Sequence, residues 1–124
     1  MIKLSTGDLT SFDAGGPAMK TLAESGHARI LLVCLRAGQA VRDHTTPSQV
    51  TIQILRGSAR IVEAGRTIEG SAGDLVIVPA GSRHRAEAIA ESVLLVTLSP
   101  HPASGQYPAE HRDRLISKVP HQAV

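Results

Sequence analysis

Two histidines in this chain follow turn chemistry that would fix them in place. His84 closes the run Gly73-Asp74-Leu75-Val76-Ile77-Val78-Pro79-Ala80-Gly81-Ser82-Arg83-His84. Gly73 and Asp74 are turn residues, Leu75 to Val78 form a short β-rich apolar run, and Pro79 and Gly81 fix the backbone where the ladder ends. The imidazole is thereby presented at a defined point. His44 lies upstream, with five residues between it and Gly38, just after Arg42 and Asp43. If the two rings meet among aliphatic side chains, desolvation and mutual repulsion disfavour imidazolium and leave both neutral near pH 7. Neutral imidazole is the form that binds a metal ion.

The spacing around His84 is Gly, five residues, Pro, one residue, Gly, two residues, His. It resembles the second motif of the cupin superfamily up to its histidine, with Ala88 where that motif ordinarily carries Asn. Gly38, His44 and Gly57 resemble parts of the first cupin motif. Thr46 and Val50 occupy the places of its second histidine and its glutamate, so two of the four usual ligands are replaced. The resemblance implies a small all-β jelly-roll (double-stranded β-helix) barrel. It also implies a site for one divalent transition metal (Mn, Fe, Ni, Cu or Zn) held by His44 and His84, with water in the open positions. In a regular barrel wall Thr46, Val50 and Ile52 fall in phase with His44, and His84 arrives from the facing sheet. Gln49, beside the glutamate position, and His101, at the end of the last strand, are the other candidates near the mouth. Arg83 and Arg85 point away from the cavity by alternation, although a bend at the mouth would make Arg83 a carboxylate anchor. Asp43 either caps a turn or orients an imidazole. Gln53 faces outward.

The rest of the chain must supply the barrel. It has 124 residues, enough for one domain, with Lys and Arg numbering 13 against 11 Asp and Glu. That balance gives no basic surface for nucleic acid. Short segments rich in Val, Ile and Leu, punctuated by glycine, predict strands near 18–23, 28–35, 50–55, 58–63, 66–69, 75–78, 84–90 and 92–98. Ala64-Gly65 is expected to be a two-residue hairpin turn, and Arg56-Gly57 a second tight link. The barrel then covers about 18–99, with an N-terminal arm over 1–17 and a tail over 100–124. The tail holds Pro100, Pro102, Pro108 and Pro120, and Glu110 to Val119 has the spacing of one short helix.

Composition narrows the ligand. Phe12 and Tyr107 are the only aromatic residues, so stacking of sugars, bases or flat rings is poorly supported and a small, polar, non-aromatic ligand is favoured. Cys34 is the lone cysteine, which rules out an intrachain disulfide and fits a reducing, cytoplasmic setting. No run approaches a membrane span or a secretory leader. No Ser-His-Asp set, nucleophile elbow or phosphate-cradling loop occurs, and His27, His111 and His121 have no ligand-spaced partners. Two readings stay open: a metal-holding cupin that acts on or binds a small polar molecule, and a metal-free module that binds a small molecule or anion. Apolar outward positions near Thr51 to Leu55 lead us to expect a homodimer.

Overall fold

The computed structural model describes residues 1–103. After a four-residue helix α1 (Thr6–Leu9) come nine strands: β1 (Ala18–Glu24), β2 (Arg29–Leu35), β3 (Ala40–His44), β4 (Gln49–Arg56), β5 (Ser58–Glu63), β6 (Arg66–Ser71), β7 (Leu75–Val78), β8 (His84–Ala88) and β9 (Ser92–Ser99). They form two antiparallel sheets, β1-β2-β9-β4-β7 and β3-β8-β5-β6, the jelly-roll barrel expected from the strand pattern. The helix expected over Glu110 to Val119 lies outside the described residues, as does Tyr107. No helix among the described residues is long and apolar enough to cross a membrane.

Eight strands were expected, and β3 is the ninth. Its sequence Ala-Val-Arg-Asp-His buries only Val41 and His44, too few apolar positions to register as a period. The difference matters for the site. The chain leaves the ladder at Thr45, crosses between sheets through Pro47 and Ser48, and re-enters as β4. His44 and Val50 therefore face the interior from opposite walls rather than from one continuous strand.

Alternation builds the core. Val50, Ile52 and Ile54 of β4, Leu31, Val33 and Leu35 of β2 and Leu94, Val96 and Leu98 of β9 point inward and meet Val41, Ala59, Ile61, Ala86 and Ala88 of the smaller sheet. A second cluster lies outside the larger sheet, where Leu9 and Phe12 of the arm cover Leu32, Cys34 and Val93. Beyond that cover, and apart from Arg56, which lies over Phe12, the outward positions of β4 (Gln49, Thr51, Gln53, Leu55), β7 (Leu75, Ile77) and β9 (Thr97) carry no charge. The outer face of the smaller sheet is charged instead, with Arg60 bridging Glu69 at 3.2 Å and Glu87 at 3.5 Å.

The turns are set by backbone sign. Ala64 and Gly65, with φ of 50° and 78°, make the expected hairpin link between β5 and β6. Gly57 has φ 87°, and a Cβ there would overlap the carbonyl oxygen of Glu91 and Oγ of Ser92. That hydroxyl accepts a hydrogen bond from the Ser58 amide at 3.1 Å, so the contact cannot relax freely. Gly81 also has positive φ, 81°, but open space around it. Gly57→Ala is expected to cost about 3 kcal/mol or more in urea unfolding, against about 1 kcal/mol for Gly81→Ala. Equal losses would contradict this account of the β4–β5 link.

Candidate metal and ligand site

His44 ends β3 and His84 begins β8, and the two are directly paired across neighbouring strands. The expectation that His84 comes from the facing sheet is thus corrected: both imidazoles hang from one sheet. Paired positions point to the same face, which here is the interior. Both side chains are buried, with 5% and 3% exposure, and the ring centroids lie 4.4 Å apart with planes tilted by 58°.

Each ring is oriented by its own backbone. His44 Nδ1 lies 2.7 Å from the carbonyl of Arg42, and His84 Nδ1 lies 2.9 Å from the carbonyl of Ser82. A carbonyl only accepts, so each Nδ1 carries the proton and donates, and in the neutral ring each Nε2 keeps its lone pair. His44 Nε2 is buried and has no hydrogen-bond partner among the described residues. An unsatisfied buried acceptor of this kind costs about 1–3 kcal/mol. Asp43 is exposed and does not orient either ring; it acts at a distance, through charge.

Between the rings and the opposite wall is a cavity of about 10 Å³, near the lower limit for one water molecule. Val33, Val41, Val50, Ile52, Ala86, Leu94 and Val96 complete its lining. Burial pushes both imidazoles below the usual histidine range, outweighing the Arg42 and Ser82 carbonyls, which favour the protonated form. His84 and Arg83 lower His44 further, while Asp43 acts against the shift at both rings and Glu63 at His84.

Of the other residues singled out from sequence, only Val50 and Ile52 line this pocket. Thr46 is buried, but its hydroxyl accepts from the Ser48 amide at 3.2 Å and it does not reach the pocket lining. Gln49 is exposed on the outer face of β4, and Arg83 is exposed at the turn before His84. His101 does not turn into the mouth: its Nε2 lies 3.0 Å from Glu24, and its Nδ1 accepts from the Ala103 amide at 3.0 Å. Glu63 was missed by the sequence reading. It is directly paired with His84, half-buried, and accepts a hydrogen bond from the Ser82 hydroxyl. Alternation from Ala59 and Ile61 would have pointed it inward, but its partner strand was needed to see the neighbour.

The donors fit a transition-metal ion in kind, being neutral imidazoles with free Nε2 atoms. They fall short in number, because structural zinc takes four protein ligands and catalytic zinc three. No group of three His, Cys, Asp or Glu side chains able to hold an ion occurs among the described residues. What the pair can do alone is accept, from a Lewis acid or from a hydrogen-bond donor.

The buried pair also sets a pH dependence. In the unfolded chain these histidines protonate near pH 6.5, whereas in the fold they do so only at lower pH. The fold is therefore at full stability above about pH 7 and loses stability as pH falls through about 6.5 and below. We expect the melting temperature of metal-free protein to fall from pH 7 to pH 5, and His44→Asn with His84→Asn to flatten that fall. Identical slopes for the two proteins would refute the assignment.

Comparison with known proteins agrees with the geometry. A family model described as cupin domain matches residues 31–100. No curated protein matches the chain. An RmlC-like cupin protein from Desulfovibrio desulfuricans superposes with a TM-score of 0.76 at 24% identity, covering 82% of this chain and 98% of that one. KdgF from a Halomonas species gives 0.66 at 22%, covering 75% and 90%. A point mutant of salicylate 1,2-dioxygenase from Pseudoaminobacter salicylatoxidans gives 0.65 at 20%, covering 69% of this chain but 27% of that one. Such distant likeness speaks to the fold. Because the family model spans more than half of the residues, the chain belongs to the cupin domain family.

Proposed function

We propose that this cupin holds one divalent transition-metal ion loosely through Nε2 of His44 and His84 and presents it to a small polar ligand with oxygen donors. The observation that carries this reading is the buried, unpartnered Nε2 of His44 beside a second ring in the same tautomer. When bound, such an ion supplies Lewis acidity toward the ligand. The chain's own contribution is orientation and exclusion of water. The Arg42 and Ser82 carbonyls fix the tautomers, and the aliphatic lining keeps the rings neutral. That lining carries no hydroxyl, thiol or carboxylate, so acid–base work there rests on the imidazoles alone, and the reading stops at binding.

The alternative is a metal-free binding module. Two acceptors favour a ligand that offers N–H or O–H donors over an anion, because an anion would need imidazolium and burial opposes that form. Calorimetric titration of untagged protein with Mn, Fe, Ni, Cu and Zn separates the readings. We expect one equivalent of at least one ion to bind, and His44→Ala or His84→Ala to weaken it by more than about 100-fold. At 100 times its dissociation constant the ion should add about 2.7 kcal/mol of stability. No stoichiometric binding and no rise in melting temperature would leave only the donor-ligand reading.

We also read the chain as a homodimer of a reducing, cytoplasmic compartment; the single buried Cys34 supports the second part. Support for the dimer comes from the uncharged outward face of β4, β7 and β9, where Leu75 and Ile77 are 55% and 57% exposed. A second copy stacked on that face away from Arg56 would bury no charge, whereas stacking the Arg60 face would. Light scattering at micromolar concentration should give twice the chain mass, and Leu75→Lys with Ile77→Lys should give the monomer. A monomeric parent protein would end this reading.

A further inference from the structure

The inward row that begins with His44 and His84 continues across the smaller sheet. Glu63 is paired with His84, and Arg66 is paired with Glu63 across the hairpin. Directly opposed residues share a face, so all four belong to one row at the same end of the sheet. Between β6 and β7 lies a separate cavity of about 140 Å³, lined by Glu63 and Arg66 together with Ile61, Ile68, Val76, Ile77 and Val78. β6 and β7 are the edge strands of their two sheets, and the barrel is open between them. Ile68, paired with the buried Ile61 and so inward-facing, is 42% exposed there. An apolar side chain aimed inward yet wet marks a space made to be filled.

The charges at the rim say by what. Opposite charges placed across a hairpin ordinarily bridge each other. Here Glu63 takes the Ser82 hydroxyl, and Arg66 forms no ion pair among the described residues. A carboxylate and a guanidinium thus stand side by side without neutralising one another, over aliphatic walls that hold no aromatic ring. A simple carboxylate would meet repulsion from Glu63, and a simple amine would meet it from Arg66. A zwitterion satisfies both. A cavity of roughly 150 Å³ accommodates about six carbon atoms, which is more than a branched aliphatic side chain needs.

We propose that this second chamber is a binding site for a free aliphatic α-amino acid, distinct from the imidazole pocket. Its ammonium is held by Glu63, its carboxylate by Arg66 in a two-pronged contact, and its side chain by Ile61, Ile68, Val76 and Val78. The site requires no metal. The test is a titration of metal-free full-length protein with L-leucine, isovalerate and isobutylamine, read by calorimetry and by methyl NMR shifts of Ile61 and Ile68. Leucine should bind saturably and shift both methyls, with isovalerate and isobutylamine each weaker by roughly 10-fold or more. Glu63→Gln and Arg66→Ala should each weaken leucine by a similar factor. Because Arg66 is exposed and forms no ion pair among the described residues, its variant keeps the test valid if Glu63→Gln fails to fold. No binding at millimolar leucine, isovalerate binding as tightly as leucine, or indifference to Arg66→Ala would overturn the proposal. None of these outcomes bears on the metal titration, since the protein is metal-free throughout.

Discussion

The register of β8 against β3 and β5 is the constraint from which the site follows. Side chains in a strand alternate with a period of two, so a slip of one residue would turn His84 into water and bring Arg83 or Arg85 into the barrel. The apolar residues behind His84 forbid that slip. Ala86 and Ala88 pack inward on the same face, opposite Val41 of β3 and against Ile61 and Ala59 of β5. Hydrophobic packing of small and medium side chains thus decides where two imidazoles and a carboxylate stand.

That placement has an electrostatic consequence. The single carbonyl bonded to each Nδ1 does not make up for the solvent the rings have lost, so desolvation is the first cause of both depressed pKa values. The carbonyls at the two residues before each ring act against it, and they also choose which nitrogen is free. A ring bonded through Nε2 would have offered Nδ1 to the cavity, close to the backbone and hard to approach. The arrangement seen here commits the proton to the main chain and leaves the projecting nitrogen for whatever enters.

How much of this could be read from sequence depended on the range of the interaction. The strand from Leu75 to Val78 and the turn through Gly81 are local, coded by β-branched residues, proline and glycine within a dozen positions. His84 was therefore visible at once. The fold class followed from the same short-range pattern repeated along the chain. β3 was invisible because its one large apolar residue, Val41, makes no period. Its absence led to the assumption of a continuous strand from His44 to Val50, and to the facing-sheet placement of His84. Glu63 and Arg66 were passed over for a different reason: each is an ordinary charged residue flanking a hairpin, and only pairing with a strand distant along the chain reveals the row they share with the imidazoles. His101 misled because it is close to the mouth along the chain, while Glu24 of another strand decides which way its ring turns.

The two positions where the familiar ligands are replaced are not gaps in the wall. Thr46 ties the crossing between the sheets, with its carbonyl receiving the Gly81 amide at 2.8 Å and its hydroxyl the Ser48 amide. Val50 packs against its β4, β7 and β9 neighbours and closes the pocket over the rings. Restoring His at 46 and Glu at 50 would therefore place one ring where a backbone tie now holds the turn, and a carboxylate where aliphatic packing now excludes water. The first change removes the hydroxyl that accepts from the Ser48 amide at the entry to β4; the second buries a charge with no cation to meet it unless an ion is bound. Polar capacity that such ligands would have concentrated at the imidazoles is found instead one and two strands further along, at Glu63 of β5 and Arg66 of β6. In this barrel the narrow end is left oily and the charged end is left wide, which gives the interior two environments for chemistry rather than one.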